Sequence, residues 1–144
     1  MELKLRPTED FKKTGMDADA AFVYMIRYDP ELTDVFQSDW VDIVDHIKWF
    51  RKNYNQFQII EQRGGLGKQQ SVGYVRTQPN GYIGIGISKE HRGKGIGSKI
   101  LEQINGRAII MKDNKASLTA FKKSGWIEKG VYLEKGGKDE HKNK

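Results

Sequence analysis

The fold of this chain is decided by residues 84–98, which read GIGISKEHRGKGIGS. Alternating apolar residues at the start of this stretch predict a β-strand over Tyr82–Ile87. The stretch then becomes basic and rich in glycine, and it leads into Ser98–Ile104, whose apolar residues at helical spacing predict a helix. A strand, a glycine-rich loop and a helix in this order are typical of a turn that binds an anion.

Two physical properties make such a turn a phosphate site. Glycines have no Cβ atom, so successive backbone N–H groups can come close to an anion. The first N–H groups and the positive dipole end of the following helix point at the same place. Arg92 and Lys94 add two full positive charges. The expected ligand is therefore a polyanionic cofactor.

The glycine spacing excludes two common phosphate loops. A P-loop ending in Gly93 and Lys94 requires a glycine at position 88, which is Ser88. The dinucleotide fingerprint also fails, because the glycines stand at 93, 95 and 97 and no acidic residue ends a strand about twenty residues later.

The segment that remains, RGKGIG at residues 92–97, resembles the pyrophosphate loop of the GNAT superfamily of N-acetyltransferases. That loop reads Gln or Arg, two residues, Gly, one residue, and Gly or Ala, and Arg92, Gly95 and Gly97 fill it. The stretch from Asn114 to Trp126 is similar to the closing motif of the same superfamily. It also predicts a helix by itself, with Asn114 as N-cap and a glycine and an aromatic residue after its end.

The resemblance implies one α/β (α+β) domain over residues 1–136, with a mixed, mostly antiparallel sheet of about six to seven strands and about four flanking helices. The last residues, 137–144, are lysine-rich and are expected to be disordered. The predicted strands are Met1–Leu5, Phe57–Ile60, Val72–Val75, Tyr82–Ile87, Ala108–Met111 and Gly130–Glu134. The predicted helices are Asp17–Tyr28, a helix from Asp39 or Asp42 to Phe50, Ser98–Ile104 and Asn114–Ser124.

Two details refine this prediction. Glycines also occur at 64–67, where a hairpin turn between two strands is favoured over a second phosphate site. Only residues 105–107 separate the helix after the basic loop from the next predicted strand. That helix is therefore expected to be little more than two turns long, which is shorter than is usual in the superfamily.

The resemblance implies acetyl-CoA as cofactor and co-substrate. The backbone of Ile85, Gly86 and Ile87 would pair with the pantetheine amides as an added strand does, and the Asn114 side chain would contact the same arm. Asn114 can also be a helix cap, and the two roles are compatible. The predicted cofactor-binding residues are Ile85, Gly86, Ile87, Arg92, Gly93, Lys94, Gly95, Ile96, Gly97, Ser98 and Asn114.

The activity that the resemblance implies is direct transfer of an acetyl group from acetyl-CoA to a primary amine. Phe121 stands where the superfamily commonly has a tyrosine acid, and it cannot donate a proton. The candidate catalytic residues are Tyr82, the ionisable side chain of its predicted strand, and His46. His46 lies on an amphipathic helix, which favours a packing role for it.

The candidate substrate-binding residues are Arg27, Trp49 and Tyr74. Arg27, His46, Trp49 and Phe50 are similar to the amino-terminal region of acetyltransferases that act on nucleotide-linked amino sugars, and the branch that acetylates ribosomal-protein N-termini shares much of this pattern. A small-amine or peptide N-terminal acetyltransferase is an alternative. A non-catalytic acyl-CoA-binding module is another, because the tyrosine acid is missing.

Composition limits the remaining possibilities. The chain has 144 residues, no cysteine and a net charge of +6, so disulfides and thiolate sites are excluded. Its three histidines have no zinc spacing, no apolar run is long enough for a membrane span, and a cytoplasmic location is expected. Residues 51–144 are basic and residues 1–50 acidic, which suits a polyanionic cofactor and an amine better than nucleic acid. The oligomeric state is left open.

Overall fold

The computed structural model describes residues 2–29 and 41–136. The predicted tail at 137–144 and the alternative helix start at Asp39 lie outside the described residues. The strands are β1 (Leu3–Pro7), β2 (Phe57–Arg63), β3 (Gln69–Thr77) and β4 (Ile83–Ile87). The helices are α1 (Phe11–Thr14), α2 (Ala18–Arg27), α3 (Ile43–Asn53), α4 (Ile96–Gln103) and α5 (Lys115–Lys123).

The four strands form one antiparallel sheet in the order β1-β2-β3-β4. A short 3-10 turn at Gly65–Gly67 connects β2 to β3, which confirms the predicted hairpin. The ladder between these two strands is irregular between Ile60 and Glu61. Among the described residues, β4 has no full strand on its outer side.

The sheet is covered by helices on both faces because each strand places alternate residues on opposite sides. Phe57, Ile59 and Tyr74 pack with residues of α2 and α3 in one buried cluster. Ile60 and Val75, each next to one of these residues in sequence, pack with residues of α4 in another. The fold is therefore the mixed α/β class that the sequence predicts.

The helices agree with the sequence in position. α3 begins after Asp42, whose carboxylate accepts a hydrogen bond of 3.0 Å from the Asp45 N–H and so caps the helix. α4 has 8 residues, which confirms the short helix expected after the glycine-rich loop. With α1, a single turn after β1, the described residues hold five α-helices rather than about four.

Two predicted strands are absent from the described part of the chain. Ala108–Met111 is irregular, because the chain makes one parallel bridge between Tyr82 and Arg107 and then leaves β4. Gly130–Glu134 is also irregular, and Val131 and Leu133 are each 84% exposed. An apolar alternation forms a strand only beside another strand, and no strand of residues 2–29 or 41–136 flanks either segment. The sheet therefore has four strands here rather than six to seven.

The first prediction concerns Gly86 in β4. A Cβ atom there would lie 2.5 Å from the Tyr74 ring and 2.9 Å from an Ile26 methyl group, whereas a Cβ atom at Gly84 would meet nothing within 4 Å. We expect Gly86→Ala to lower the free energy of unfolding by about 1–3 kcal/mol through overpacking. Gly84→Ala, the matched control on the same strand, should change it by less than about 1 kcal/mol. Urea unfolding measures both, and equal effects would contradict the packing of Tyr74 over Gly86.

Candidate functional site

The glycine-rich loop between β4 and α4 has the geometry of an anion site. Gly93 and Gly95 adopt φ angles of +76° and +80°, a region that L side chains rarely occupy. Gly95 is the N-cap of α4 and makes no side-chain capping bond, so the helix begins without a cap of its own. The N–H groups of Ile96, Gly97 and Ser98 belong to the first turn, where an α-helix has no internal acceptors for them. They form a ready site for phosphate oxygens.

Arg92 fixes this loop to the body of the protein. Its Nε donates a hydrogen bond of 3.0 Å to the Ile87 carbonyl, and its terminal nitrogen forms a 3.2 Å ion pair with Asp29, just after α2. Arg92 therefore connects β4, the loop and the end of α2. Replacement of Arg92 would change the position of the loop as well as the local charge. A substitution at Gly95 is therefore the more specific test of ligand binding.

The outer edge of β4 is open beside this loop. Ladder hydrogen bonds alternate along a strand. The Ser88 N–H donates to Val72 in β3, whereas the Ile83 N–H donates to Arg107 on the other side. The N–H groups of Ile85 and Ile87, which share the parity of Ile83, therefore point away from β3. Beyond the bridge at Tyr82, no described strand occupies this edge.

An extended ligand arm fits this edge. It would run along β4 from the loop toward Ile83 and take the place of a neighbouring strand. The gap exists because the segment after Arg107 diverges from β4, and this divergence is also the reason why Ala108–Met111 is not a strand.

Asn114 caps α5, as the sequence predicts. Its Oδ1 accepts a hydrogen bond of 3.2 Å from the Ser117 N–H. The other end of the helix is followed by Gly125, which has a φ angle of +92°. The Trp126 N–H donates to the Phe121 carbonyl, and the Gly125 N–H donates to the Lys122 carbonyl. This is the Schellman pattern expected of a glycine followed by an apolar residue.

α5 packs against the short helix α4, and the residues after it form hydrogen bonds with α4. The Trp126 indole N–H donates to the Leu101 carbonyl at 2.9 Å, and the Ser124 hydroxyl lies 3.1 Å from the Ser98 carbonyl. Phe121 is 7% exposed and meets the Trp126 ring edge to face, with centroids 5.0 Å apart. Phe121 is therefore a core residue between the two helices, and its ring offers no proton to a leaving thiolate.

His46 is a buried residue that joins α3 to α2. It is 2% exposed, and its Nε2 lies 2.9 Å from the Ala20 carbonyl. A carbonyl only accepts, so Nε2 carries the hydrogen. Burial lowers the pKa of His46, the hydrogen bond to Ala20 opposes this effect, and the charge of Arg27 adds to it. The ring lies within 6 Å, centroid to centroid, of those of Tyr24, Tyr28, Trp49 and Phe50.

This burial predicts a pH dependence of stability. Because folding depresses the pKa of His46, the unfolded chain binds the proton more readily, and stability falls as pH decreases below about 6.5. We expect His46→Gln to be about 1–3 kcal/mol less stable at pH 8 and to lose most of the dependence between pH 8 and 5. Urea unfolding across this range tests it. An unchanged slope in the variant would assign the effect to another group.

Tyr82 lies at the other end of β4 from the glycine-rich loop. Its ring centroid is 5.4 Å from the Arg107 guanidinium carbon. Three residues of strand, about 10 Å, separate it from Ile85. The two candidate catalytic residues are therefore not brought together, because His46 lies between α2 and α3 on one face of the sheet.

The three candidate substrate-binding residues do lie together, on the α2 and α3 side of the sheet. The Arg27 guanidinium carbon is 5.6 Å from the Trp49 ring centroid. Burial raises the pKa of Tyr74 to about 12, although the charges of Arg27 and Arg76 oppose it. The Tyr74 hydroxyl therefore stays protonated near neutral pH, so it can donate a hydrogen bond but cannot be the base.

Sequence reasoning missed two residues of this region, Asp29 and Arg76. Asp29 holds Arg92, a long-range pair that no local pattern reveals. Arg76 lies 4.9 Å from the Trp49 ring centroid. Strand alternation carried a signal for it, because Arg76 follows Tyr74 by two residues and so belongs on the same face.

Residues 2–29 and 41–136 have neither a cluster of metal ligands nor a membrane-spanning helix. No three His, Cys, Asp or Glu side chains gather there as metal ligands. None of the helices in these ranges has the length and apolar character needed to cross a bilayer.

Together, the loop and the open edge are the arrangement expected in a class of protein that binds a ligand with a phosphate group and an extended arm. The sequence model of the acetyltransferase (GNAT) family matches residues 24–126. The chain therefore belongs to this family. It is an N-acetyltransferase whose acetyl donor is acetyl-CoA. No curated protein sequence matches the chain significantly.

Solved structures show the same fold at low sequence identity. Spermidine N-acetyltransferase from Vibrio cholerae, in complex with CoA and spermine, is 16% identical with a TM-score of 0.70, over 92% of this chain and 85% of that one. An acetyltransferase (GNAT family) from Bacillus anthracis is 18% identical with a TM-score of 0.68, over 90% and 82%. A putative phosphinothricin N-acetyltransferase is 24% identical with a TM-score of 0.62, over 90% and 86%.

Proposed function

We propose that this protein transfers the acetyl group of acetyl-CoA directly to a primary amine, with the cofactor lying along the outer edge of β4. The observation that carries the proposal is the placement of the uncapped start of α4 beside that open edge. The pyrophosphate would bind at Arg92–Ser98, and the pantetheine arm would pair with Ile85 and Ile87. Asn114 would reach the arm from the start of α5.

The chemistry proposed for the site is electrostatic. An arm that starts at the loop and runs along β4 meets the Ile87 N–H first and the Ile85 N–H next, so the thioester would lie nearest Ile85. That N–H would polarise the thioester carbonyl and stabilise the tetrahedral oxyanion, a contribution of about 3 kcal/mol. Direct attack by the amine forms the C–N bond and breaks the C–S bond, and CoA leaves as the thiolate.

We propose that buried side chains contribute little to proton transfer. An alkyl ammonium group has a pKa near 10, so the attacking amine must first lose a proton. His46 is buried at 2% exposure, and the pKa of Tyr74 is raised, which leaves Tyr82 and solvent at the open edge as the routes. The leaving thiolate needs no acid if backbone N–H groups stabilise it, which accounts for Phe121 in place of a tyrosine.

The acceptor is proposed to be a small molecule that carries a primary amine. The structural neighbours include a spermidine N-acetyltransferase, solved with spermine, and a putative phosphinothricin N-acetyltransferase, and these amines are chemically diverse. A nucleotide-linked amino sugar stays a candidate on the match at Arg27, His46, Trp49 and Phe50.

The test is release of CoA from acetyl-CoA, followed with a thiol reagent over a panel of amines. The chain has no cysteine, so it adds no thiol background. The panel holds amino acids, amino sugars, nucleotide-linked amino sugars, polyamines and peptides with free N-termini. Amine-dependent release would support the proposal. Tight acetyl-CoA binding without release on any amine would favour the acyl-CoA-binding module, and absence of binding would refute the proposed cofactor site.

A further inference from the structure

Two arginines from different elements converge on one tryptophan. The guanidinium carbon of Arg27, at the end of α2, lies 5.6 Å from the Trp49 ring centroid, and that of Arg76, in β3, lies 4.9 Å from it. Burial lowers the pKa of Arg76, and the positive charge of Arg27 adds to this effect. The two like charges therefore repel each other.

Arg76 has no acidic partner in the part of the chain that the structure describes. Its Nε donates a 3.0 Å hydrogen bond to the Gln56 side-chain oxygen, and its other contacts are with the rings of Trp49 and Phe57. Arg6 and Arg51, in contrast, pair with Asp19 and Asp17 at 2.9 and 2.7 Å.

A half-buried guanidinium without a carboxylate is costly unless something else supplies negative charge. The ring of Trp49 orients Arg76 but does not neutralise it. A bound anion would supply the missing charge and could take two parallel hydrogen bonds from the guanidinium.

The position of Arg76 relates it to the proposed reaction centre. Arg76 is opposite Gly84 in the ladder between β3 and β4, so both residues face the same side of the sheet. Gly84 is exposed and has open space where a side chain would be. A small molecule can therefore lie over Gly84, between Arg76 and the outer edge of β4. From the Arg76 Cα to a ligand paired with that edge is about 10 Å, two strand spacings. The Arg76 guanidinium contacts Gln56 and the Phe57 ring, so its side chain extends toward β2 and the acceptor has to span this distance.

We propose that the amine acceptor carries a negatively charged group, a carboxylate or a phosphate, which Arg76 binds while the amine reaches across Gly84 to the thioester. This inference rests on the acetyltransferase activity proposed above. It favours acceptors long enough to span this distance, such as amino sugar phosphates and nucleotide-linked amino sugars. It disfavours polyamines, because the Arg76 guanidinium repels a polycation.

The experiment compares kcat/KM for matched amines that differ in the acidic group. An amino acid is paired with its amide, an amino sugar phosphate with the free amino sugar, and spermidine serves as the cationic member. We expect the wild type to prefer the acidic member of at least one pair by about 10- to 100-fold, mainly through KM. If the amino acid pair shows the preference, the recognised group is a carboxylate. If the amino sugar pair shows it, the recognised group is a phosphate.

Variants of Arg76 test whether this residue is responsible for the preference for acidic amines. Arg76→Gln should remove most of that preference while changing kcat/KM for the neutral member by less than about threefold, and Arg76→Lys should retain part of it. Arg63→Gln is the matched control, because Arg63 is an exposed arginine of β2 that faces Glu2 at 3.9 Å. It should keep the full preference.

A binding measurement tests recognition of the acidic group independently of acetyl transfer. Calorimetric titration of the acidic and neutral amines into the CoA-bound protein requires no turnover. Tighter binding of an acidic amine, lost in Arg76→Gln, would support the inference even if the amine is not acetylated, in which case only the proposed activity fails. Efficient acetylation or binding of neutral or polycationic amines, unaffected by Arg76→Gln, would overturn the inference and leave the acetyltransferase activity standing.

Discussion

Gly95→Asp is expected to weaken acetyl-CoA binding by at least about 100-fold, a loss of about 2.7 kcal/mol. Gly95 is the N-cap of α4, where the proposed pyrophosphate site has its highest density of N–H groups. A carboxylate within about 4 Å of a phosphate costs several kcal/mol at the effective dielectric constant of a protein surface. Calorimetric titration with acetyl-CoA measures the effect.

The matched control is Gly95→Asn, which has the same shape without the charge. Gly95 has a φ angle of +80°, and no atom lies within 4 Å of a Cβ placed there, so both variants meet backbone strain and no clash. Asp and Asn tolerate this region better than other residues, and the strain of about 1 kcal/mol is common to both. We expect Gly95→Asn to weaken binding by about tenfold or less. Equal losses in the two variants would mean that no phosphate lies at Gly95.

The second large effect is expected at Ile85. Replacement by proline removes the backbone N–H that is proposed to hold the thioester oxygen, and it should lower kcat by about 100- to 1000-fold. That N–H points away from β3, so proline leaves the ladder between β3 and β4 in place, as is tolerated on edge strands. Single-turnover acetylation at saturating acetyl-CoA and amine measures the chemical step.

Ile85→Ala is the control for this prediction. Ile85 packs against the buried cluster that contains Ile60 and Val75, and against a second buried cluster formed by Ile83, Leu101 and Phe121. Both variants lose that packing. We expect Ile85→Ala to lose stability but to keep kcat within about threefold of the wild type. If alanine and proline reduce kcat equally, the side chain and not the N–H is responsible, and the oxyanion must be held elsewhere.

The predictions that the structure confirms were those that depend on neighbouring residues. The cap at Asn114 and the turn at Gly125 follow from rules that span a few residues. The amphipathic helices and the hairpin between β2 and β3 could also be predicted from the sequence. An apolar face with helical or strand periodicity becomes buried whichever element packs against it.

Other properties depended on contacts between distant parts of the chain. Ala108–Met111 and Gly130–Glu134 have strand-like sequences, yet a strand requires a neighbour, and the chain leaves β4 after Arg107. His46 became a buried link because the Ala20 carbonyl lies opposite it on another helix.

The amino-acid sequence by itself determined the α/β class, the glycine-rich loop before α4 and the family, because each of these rests on local spacing. Only the tertiary structure decided what lies beside the loop: the open edge of β4, the anchor between Arg92 and Asp29, and the two arginines on Trp49. The physical reason is that charges and hydrogen-bonding groups act through space. The chain segments that hold Arg27, Trp49 and Arg76 meet only when α2 and α3 pack on the sheet.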